Sequence, residues 1–469
     1  MTAIPVLFAG FLLMSISITL VDWRRGWLLA ILAGVLQDPA RKLTPGTPVL
    51  MTMSIVVIYG VIIFAAQGKL QREAQEFSKR FGNLYATLIF FFIFLFLAAI
   101  NGLFTFGIDQ WKAPAMSFFL YCAPLPAVII GYAFLQREEQ LFGLFRFYAI
   151  ITSLALIGTP LEYFRVDWRA LGTVALGENL RLITGLSIRL LSGFYRAPDI
   201  MGWHAAMLTM IGIIMTIRVR TIRSSWIWMV VSGWAFLNCM MSGRRKAIYM
   251  IAVFALAFLW RYFRRLSVPQ LFSFGLVAVV MFFVITKMSQ NEESSTYTQG
   301  AYASRDEVWG RLEGGMVETV QQSGIMGAGL GTATQGVYHV LRTDSATQLG
   351  WQEGGLGKLA MEVGVPGLFA AALLAFVMIT TMIKISGHPD VPGSSQLMRA
   401  SLFGIVAANI VEFLVSAQAF SDPVLTLMTA FFVGCLFATA TLDDRLAAEQ
   451  AAAAAAEPRR VPLTAAVTA

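Results

Sequence analysis

Ser242-Gly243-Arg244-Arg245-Lys246 sets three consecutive cations in a short turn between two apolar stretches. Arginine carries a fixed, permanently charged fork that matches phosphate oxygens, and lysine adds a compact point charge. Such a turn can capture a phosphate and stabilise the charge that grows on a phosphate leaving group. Arg189 and Arg196 lie in the polar segment just upstream and can converge on the same point. The competing reading is plain: cations at a helix end snorkel to the membrane surface. A second group of residues could move protons. Glu353 stands before an apolar helix, either as a solvated acid or as a general base for a hydroxyl. His339 is a surface residue or an alternative base in the same polar segment.

The elements that must position these residues are membrane spans. The 469 residues are 57% hydrophobic and 13% charged, with a mean hydropathy of +0.69, beyond what soluble domains show. Apolar runs of near-spanning length recur throughout. Spans are predicted near 5–21, 26–40, 48–67, 84–103, 114–135, 144–160, 200–218, 224–241, 246–261, 268–287, 361–383, 397–417 and 421–441, with 26–40 interrupted by Gln37-Asp38-Pro39. The expected fold is an all-α polytopic helical membrane protein with 12–13 transmembrane helices and one large outer (periplasmic) loop between residues 288 and 360. The first apolar stretch has neither a basic leader nor a small-residue cleavage site, so it reads as a span rather than a signal peptide.

Cations in short loops set the orientation. Lys69, Arg72, Lys79 and Arg80 share one loop; Arg137 and Arg146, Arg218, Arg220 and Arg223, Arg261, Arg264 and Arg265, Lys384 and Arg399, and Arg445 follow at alternate span ends. All are assigned to the cytoplasm, which sends segments 161–199 and 288–360 and the Arg244 turn to the opposite face. Three cations there run against the usual bias and point to an anionic ligand. Four regions result: helices over 1–287 including the outer segment 161–199, the periplasmic loop 288–360, C-terminal helices over 361–441, and a disordered cytoplasmic tail over 442–469, where an alanine run starts as a short helix.

Within the outer segments, Leu180 to Leu191 reads as an amphipathic interfacial helix. Pro198 and Asp199 suit the first turn of the next helix. Ser304-Arg305-Asp306-Glu307 reads as a helix start, followed by apolar Trp309, Leu312, Met316, Val317 and Val320. Gly327-Ala328-Gly329-Leu330-Gly331 is a turn; no strand precedes it, so a nucleotide cradle is disfavoured. Gly354-Gly355 leads into a helix that is interrupted at Gly364-Val365-Pro366-Gly367. Cys122, Cys239 and Cys435 fall in apolar runs and behave as small hydrophobes. His204, one turn into a span, reads as a hydrogen-bonded core histidine. Neither cysteine nor histidine spacing suggests a metal site, so no metal or cofactor is expected, and the net charge of +8 needs no nucleic acid to explain it.

Three pieces, in order, resemble the O-antigen ligase and O-antigen polymerase-like family of bacterial membrane glycosyltransferases. The Gly193 to Asp199 entry with Arg189 and Arg196 resembles that family's outer-loop arginine region. Ser242-Gly243-Arg244-Arg245-Lys246-Ala247 resembles its Thr-Gly-Ser-Arg-Gly-Ala turn, with Arg245 at the arginine position. The glycine turn and Glu353 to Gly367 resemble its closing segment, with Glu362, Gly364 and Gly367 at matching positions. The resemblance covers roughly residues 180–440. One departure stands out: Glu353 and Gly354 occupy the family's histidine and asparagine positions.

The resemblance implies a metal-independent glycosyltransferase of the bacterial inner membrane, acting in exopolysaccharide, capsule or O-antigen biosynthesis. Its donor would be an undecaprenyl-diphosphate-linked oligosaccharide, with membrane lipid around it and a repeat-unit flippase and a chain-length regulator as partners. Arg245 would act on the diphosphate, helped by Arg189, Arg196, Arg244 and Lys246 and by Arg305 and Arg311 of the periplasmic loop. Glu353 would take the proton of the incoming sugar hydroxyl, with His339 as the other candidate. The missing histidine favours polymerisation over transfer to a lipid A core, the ligase alternative. A transporter is the competing class and predicts broken, charged helices and internal repeats; a scaffold would leave the outer arginines unexplained.

Overall fold

Inside a bilayer no water satisfies the backbone, so every peptide group must bond within its own segment. The apolar runs therefore become helices. The computed structural model describes residues 3–174, 180–183, 186–219, 221–266, 268–290, 295–297, 316–334, 337, 352, 354–387, 395–417, 420 and 422–456. The helices are α1 (Ala3–Val21), α2 (Trp23–Leu43), α3 (Ser54–Arg80), α4 (Gly82–Phe106), α5 (Lys112–Cys122), α6 (Pro124–Phe134), α7 (Glu138–Ala155), α8 (Gly158–Tyr163), α9 (Pro198–Arg218), α10 (Ile222–Met241), α11 (Arg245–Tyr262), α12 (Val268–Gln290), α13 (Gly355–Ser386), α14 (Gln396–Val415) and α15 (Pro423–Ala456). The protein is an all-α, multi-pass membrane protein.

Eleven helical segments among the described residues are long and apolar enough to cross a membrane, which lowers the expected count of 12–13. The other two predicted spans are helical as well. They correspond to α2, whose 21 residues include Asp38, Arg41 and Lys42, and α10, whose 20 residues include Arg223, three tryptophans and Asn238. Polar side chains dilute both, and neighbouring helices shelter them.

Alpha9 lies at the centre, its whole apolar length buried, against α7, α10, α11 and α14. A helix apolar on every side belongs in such a core. Alpha4, α12 and α13 instead present Phe96, Phe104, Phe282 and Phe376 outward. Alpha6 and α15 meet backbone to backbone. A Cβ on Gly131 would collide with the Phe431 carbonyl, and one on Gly434 with the Val128 carbonyl. Small residues permit this close packing where lipid gives no hydrophobic drive.

Two sequence expectations need correction. Leu180 to Leu191 is not an interfacial helix. Leu180–Ile183 (β1) and Leu186–Arg189 (β2) pair antiparallel, with Leu180 opposite Arg189 and Ile183 opposite Leu186. The run Leu-Arg-Leu-Ile, then Thr-Gly, then Leu-Ser-Ile-Arg carries the short alternation and glycine-containing two-residue connection of a hairpin. The tail is likewise not disordered from residue 442: α15 continues to Ala456, as alanine's high helix propensity favours.

The helix ends sort into two groups. At one, Arg80 reaches Asp444 at 2.6 Å, Arg218 approaches Glu138 at 4.0 Å, Glu138 accepts the Ser395 N–H, and Arg261 donates to the Ile383 carbonyl. These include the cations assigned to the cytoplasm. The α9 and α11 N-termini and the α14 C-terminus meet at the opposite end.

Candidate functional site

The Arg244 turn is built by backbone geometry. Gly243 adopts φ +64°, a conformation that glycine supplies without strain. Ser242 Oγ accepts the Arg244 N–H at 3.1 Å. Arg244 then takes the N-cap position of α11, and no side chain caps that helix. The Ala247 N–H turns back to the Arg244 carbonyl at 3.2 Å, and the amides of Arg245 and Lys246 ahead of it lie at the positive end of the helix dipole. Arg245 and Lys246 are 6% and 9% exposed. Asp199, in the first turn of α9, is shared: Lys246 Nζ sits 2.6 Å from Oδ1 and Arg244 Nη2 3.1 Å from Oδ2. Lys246 also donates to Ser416 Oγ at 2.9 Å. The buried Arg244 Nε has no hydrogen-bond partner among the described residues. Three cations thus crowd an uncapped helix start, and Arg244 and Lys246 share one carboxylate.

Glu412 lies in the last turn of α14, four residues before Ser416. It is 2% exposed, and neither carboxyl oxygen has a hydrogen-bond partner among the described residues. Lys246 and Asp199 are the charges that act on it most strongly.

Arg196 belongs to an adjoining network. Its Nη2 lies 2.6 Å from Asp422 Oδ2, its Nη1 3.3 Å from Asp38 Oδ1, and its backbone N–H donates to Asp38 Oδ2 at 3.0 Å. Burial would lower its pKa, but the two carboxylates outweigh burial and raise it. Burial pushes the Asp422 carboxyl above the usual carboxylate range, with Arg196 pulling the other way. Asp422 also caps α15 by accepting from Val424 N at 2.7 Å. Lys42 donates to the carbonyls of Gly193 and Tyr195 at 2.9 and 2.6 Å, and Glu162 accepts the Ser192 and Gly193 N–H groups at 2.9 and 2.6 Å. The chain entering α9 is thereby fixed on both sides. Arg189 ends β2 and is exposed; its Nη2 donates to the Glu162 carbonyl at 3.3 Å.

The glycine turn is a joint. Gly327, Gly329 and Gly331 have φ of +73°, +94° and +96°. A Cβ on Gly329 would strike the Gly102 backbone of α4. Asn101 Nδ2 donates to the Gly327 carbonyl at 2.9 Å and Thr105 Oγ1 to that of Ala328 at 2.6 Å. On the other side α13 breaks at Gly364 (φ +67°) ahead of Pro366, and the turn fills the break: Val365 N–H donates to the Ile325 carbonyl at 2.8 Å. Glu362, fully buried, ties the pieces together. It accepts from Thr334 Oγ1 at 2.6 Å, Tyr121 OH at 2.7 Å, Gly331 N at 3.1 Å, Ala333 N at 3.3 Å and Ser117 Oγ at 3.4 Å.

Of the residues singled out in the sequence, Arg244 and Lys246 come together on Asp199, and Arg245 is buried between them in the chain. Arg196 stands in the neighbouring ion network, and Arg189 on the hairpin. Glu353, His339, Arg305 and Arg311 lie outside the described residues. Gly354 and Gly355 abut the Leu414 and Phe413 carbonyls, in the last turn of α14 that also carries Glu412. His204 is a core histidine, its Nδ1 2.7 Å from the Tyr148 hydroxyl. Glu412, Asp38 and Asp422 were not anticipated. An acid inside an apolar run is itself a signal of function, and Glu412 carried it. No family model matches the chain, and no curated protein matches it.

Proposed function

We propose that the protein joins glycan units carried on undecaprenyl diphosphate, acting at the outer face of a bacterial inner membrane in surface-polysaccharide assembly. The observation that carries this reading is the gathering of Arg244, Arg245 and Lys246 at the uncapped start of α11, with Arg244 and Lys246 sharing Asp199. A dianionic leaving group is what such a site accommodates best. Arg244 and Arg245 would draw the charge of the departing diphosphate while the C1–O bond breaks. The site sits at a membrane-level helix end, so the lipid tail can stay between spans. The paired state of Arg196 favours a positioning role: it holds the entry to α9, and with it Asp199.

The interrupted α13 invites comparison with the broken helices of transporters. Its break is packed by the glycine turn and its acid is bonded to five donors, which supports a fixed joint over a moving gate. The test is to incubate membranes containing the protein with the host's lipid-linked repeat unit and resolve the products. A ladder of longer lipid-linked chains is expected, reduced about 100-fold or more in Arg245→Ala at equal membrane abundance. Full activity in that variant would overturn the reading. Transfer of the glycan to a supplied lipid A core without a ladder would mark a ligase.

A further inference from the structure

We propose that Glu412 is the proton acceptor for the sugar hydroxyl that attacks the lipid-linked donor. The assignment rests on the glycosyl-transfer reading above and concerns the other half of that reaction. A buried carboxyl without hydrogen bonds is costly to keep, and native structures satisfy nearly all such groups. Among the described residues neither Glu412 oxygen has a hydrogen-bond partner. Its sister acid Glu362 shows that this chain can saturate a buried carboxylate where structure alone is at stake.

Position supplies the second argument. Glu412 sits where three elements converge on the Arg244 turn. From α11, Lys246 reaches Ser416, one helical turn beyond Glu412. From α9, Asp199 holds the same ammonium. The start of α13 packs its Gly354 and Gly355 against the Leu414 and Phe413 carbonyls, bringing the end of the long polar segment to the same place. The groups facing Glu412 are therefore Lys246 from α11, Asp199 from α9 and the Cys239 thiol from α10. Shelter from bulk water protects an activated donor from hydrolysis.

The step balances without a further reagent. The acceptor oxygen forms a bond to the anomeric carbon, the bond from that carbon to the phosphate oxygen breaks, and the diphosphate leaves with the electron pair. The hydroxyl proton passes to a Glu412 oxygen and from there to water.

The experiment compares full-length wild type, Glu412→Gln and Glu412→Asp for binding of undecaprenyl diphosphate and for ladder formation across pH. The expected result is undecaprenyl diphosphate affinity within about twofold of wild type for Glu412→Gln, and transfer reduced by about 10²- to 10⁴-fold. Wild-type transfer should rise with pH as the base ionises. That rise should disappear in Glu412→Gln and persist in Glu412→Asp, which retains part of the rate. If Glu412→Gln does not insert, the aspartate variant alone decides, by whether its pH profile is displaced from that of wild type. Full transfer by Glu412→Gln, or equal loss of binding and transfer, would overturn the assignment while leaving the diphosphate site intact. A wild-type protein that makes no ladder and no transfer product would overturn both.

Discussion

Glu362 and Glu412 are both acids in apolar helices, both buried, and they differ in almost everything else. Glu362 is surrounded by two backbone amides, two hydroxyls from α5 and one from the glycine turn. Glu412 has no hydrogen-bond partner among the described residues, only the charges of Lys246 and Asp199 nearby. A saturated buried carboxylate stabilises a structure; an unsaturated one weakens it and is retained for another reason. The same residue type therefore serves as a joint in one region and as a reactive group in the other.

The largest expected effect is at the joint. Glu362→Ala should destabilise the protein by about 3–5 kcal/mol, because it strands five donors, the two buried backbone amides at about 1–3 kcal/mol each. Thermal unfolding of the protein in detergent measures it, and an unchanged midpoint would erase the contrast. Arg196→Ala comes next, at about 3 kcal/mol, because it leaves Asp38 and Asp422 buried without their cation. Gly329→Ala should cost about 2 kcal/mol through its positive φ and the approach to Gly102, read in the same assay. Smallest, and opposite in sign, is Glu412→Gln. It should leave the unfolding midpoint unchanged or raise it by an amount worth no more than about 1 kcal/mol, even as transfer collapses. A large loss of stability there would make Glu412 a second joint.

The helical spans were legible because lipid imposes one solution on any long apolar run. The cation turn was legible too, since three consecutive charges between two apolar runs stand out in the sequence itself. The hairpin over Leu180 to Arg189 was misread because four-residue strands offer too few positions to separate a period of two from one of 3.6. Asp38 and Asp422 were hidden for a different reason: they lie hundreds of residues apart, and only the packing of α2 against α15 brings both to Arg196, in the segment entering α9. Glu362 stood at a position the resemblance had picked out, yet its donors come from α5 and from Gly331, Ala333 and Thr334, which no local pattern connects.

The glycine contact between α6 and α15 bears on how the chain is made. Gly131 must wait for Phe431, and Val128 for Gly434, across some 300 residues. During synthesis the earlier helix enters the bilayer with one flank still unmatched, and lipid or a chaperone must occupy that flank until the final span arrives. A ribosome that stops before Asp422 releases a protein in which Arg196 has also lost one of its two buried counter-charges, so cellular quality control can recognise one defect and discard both.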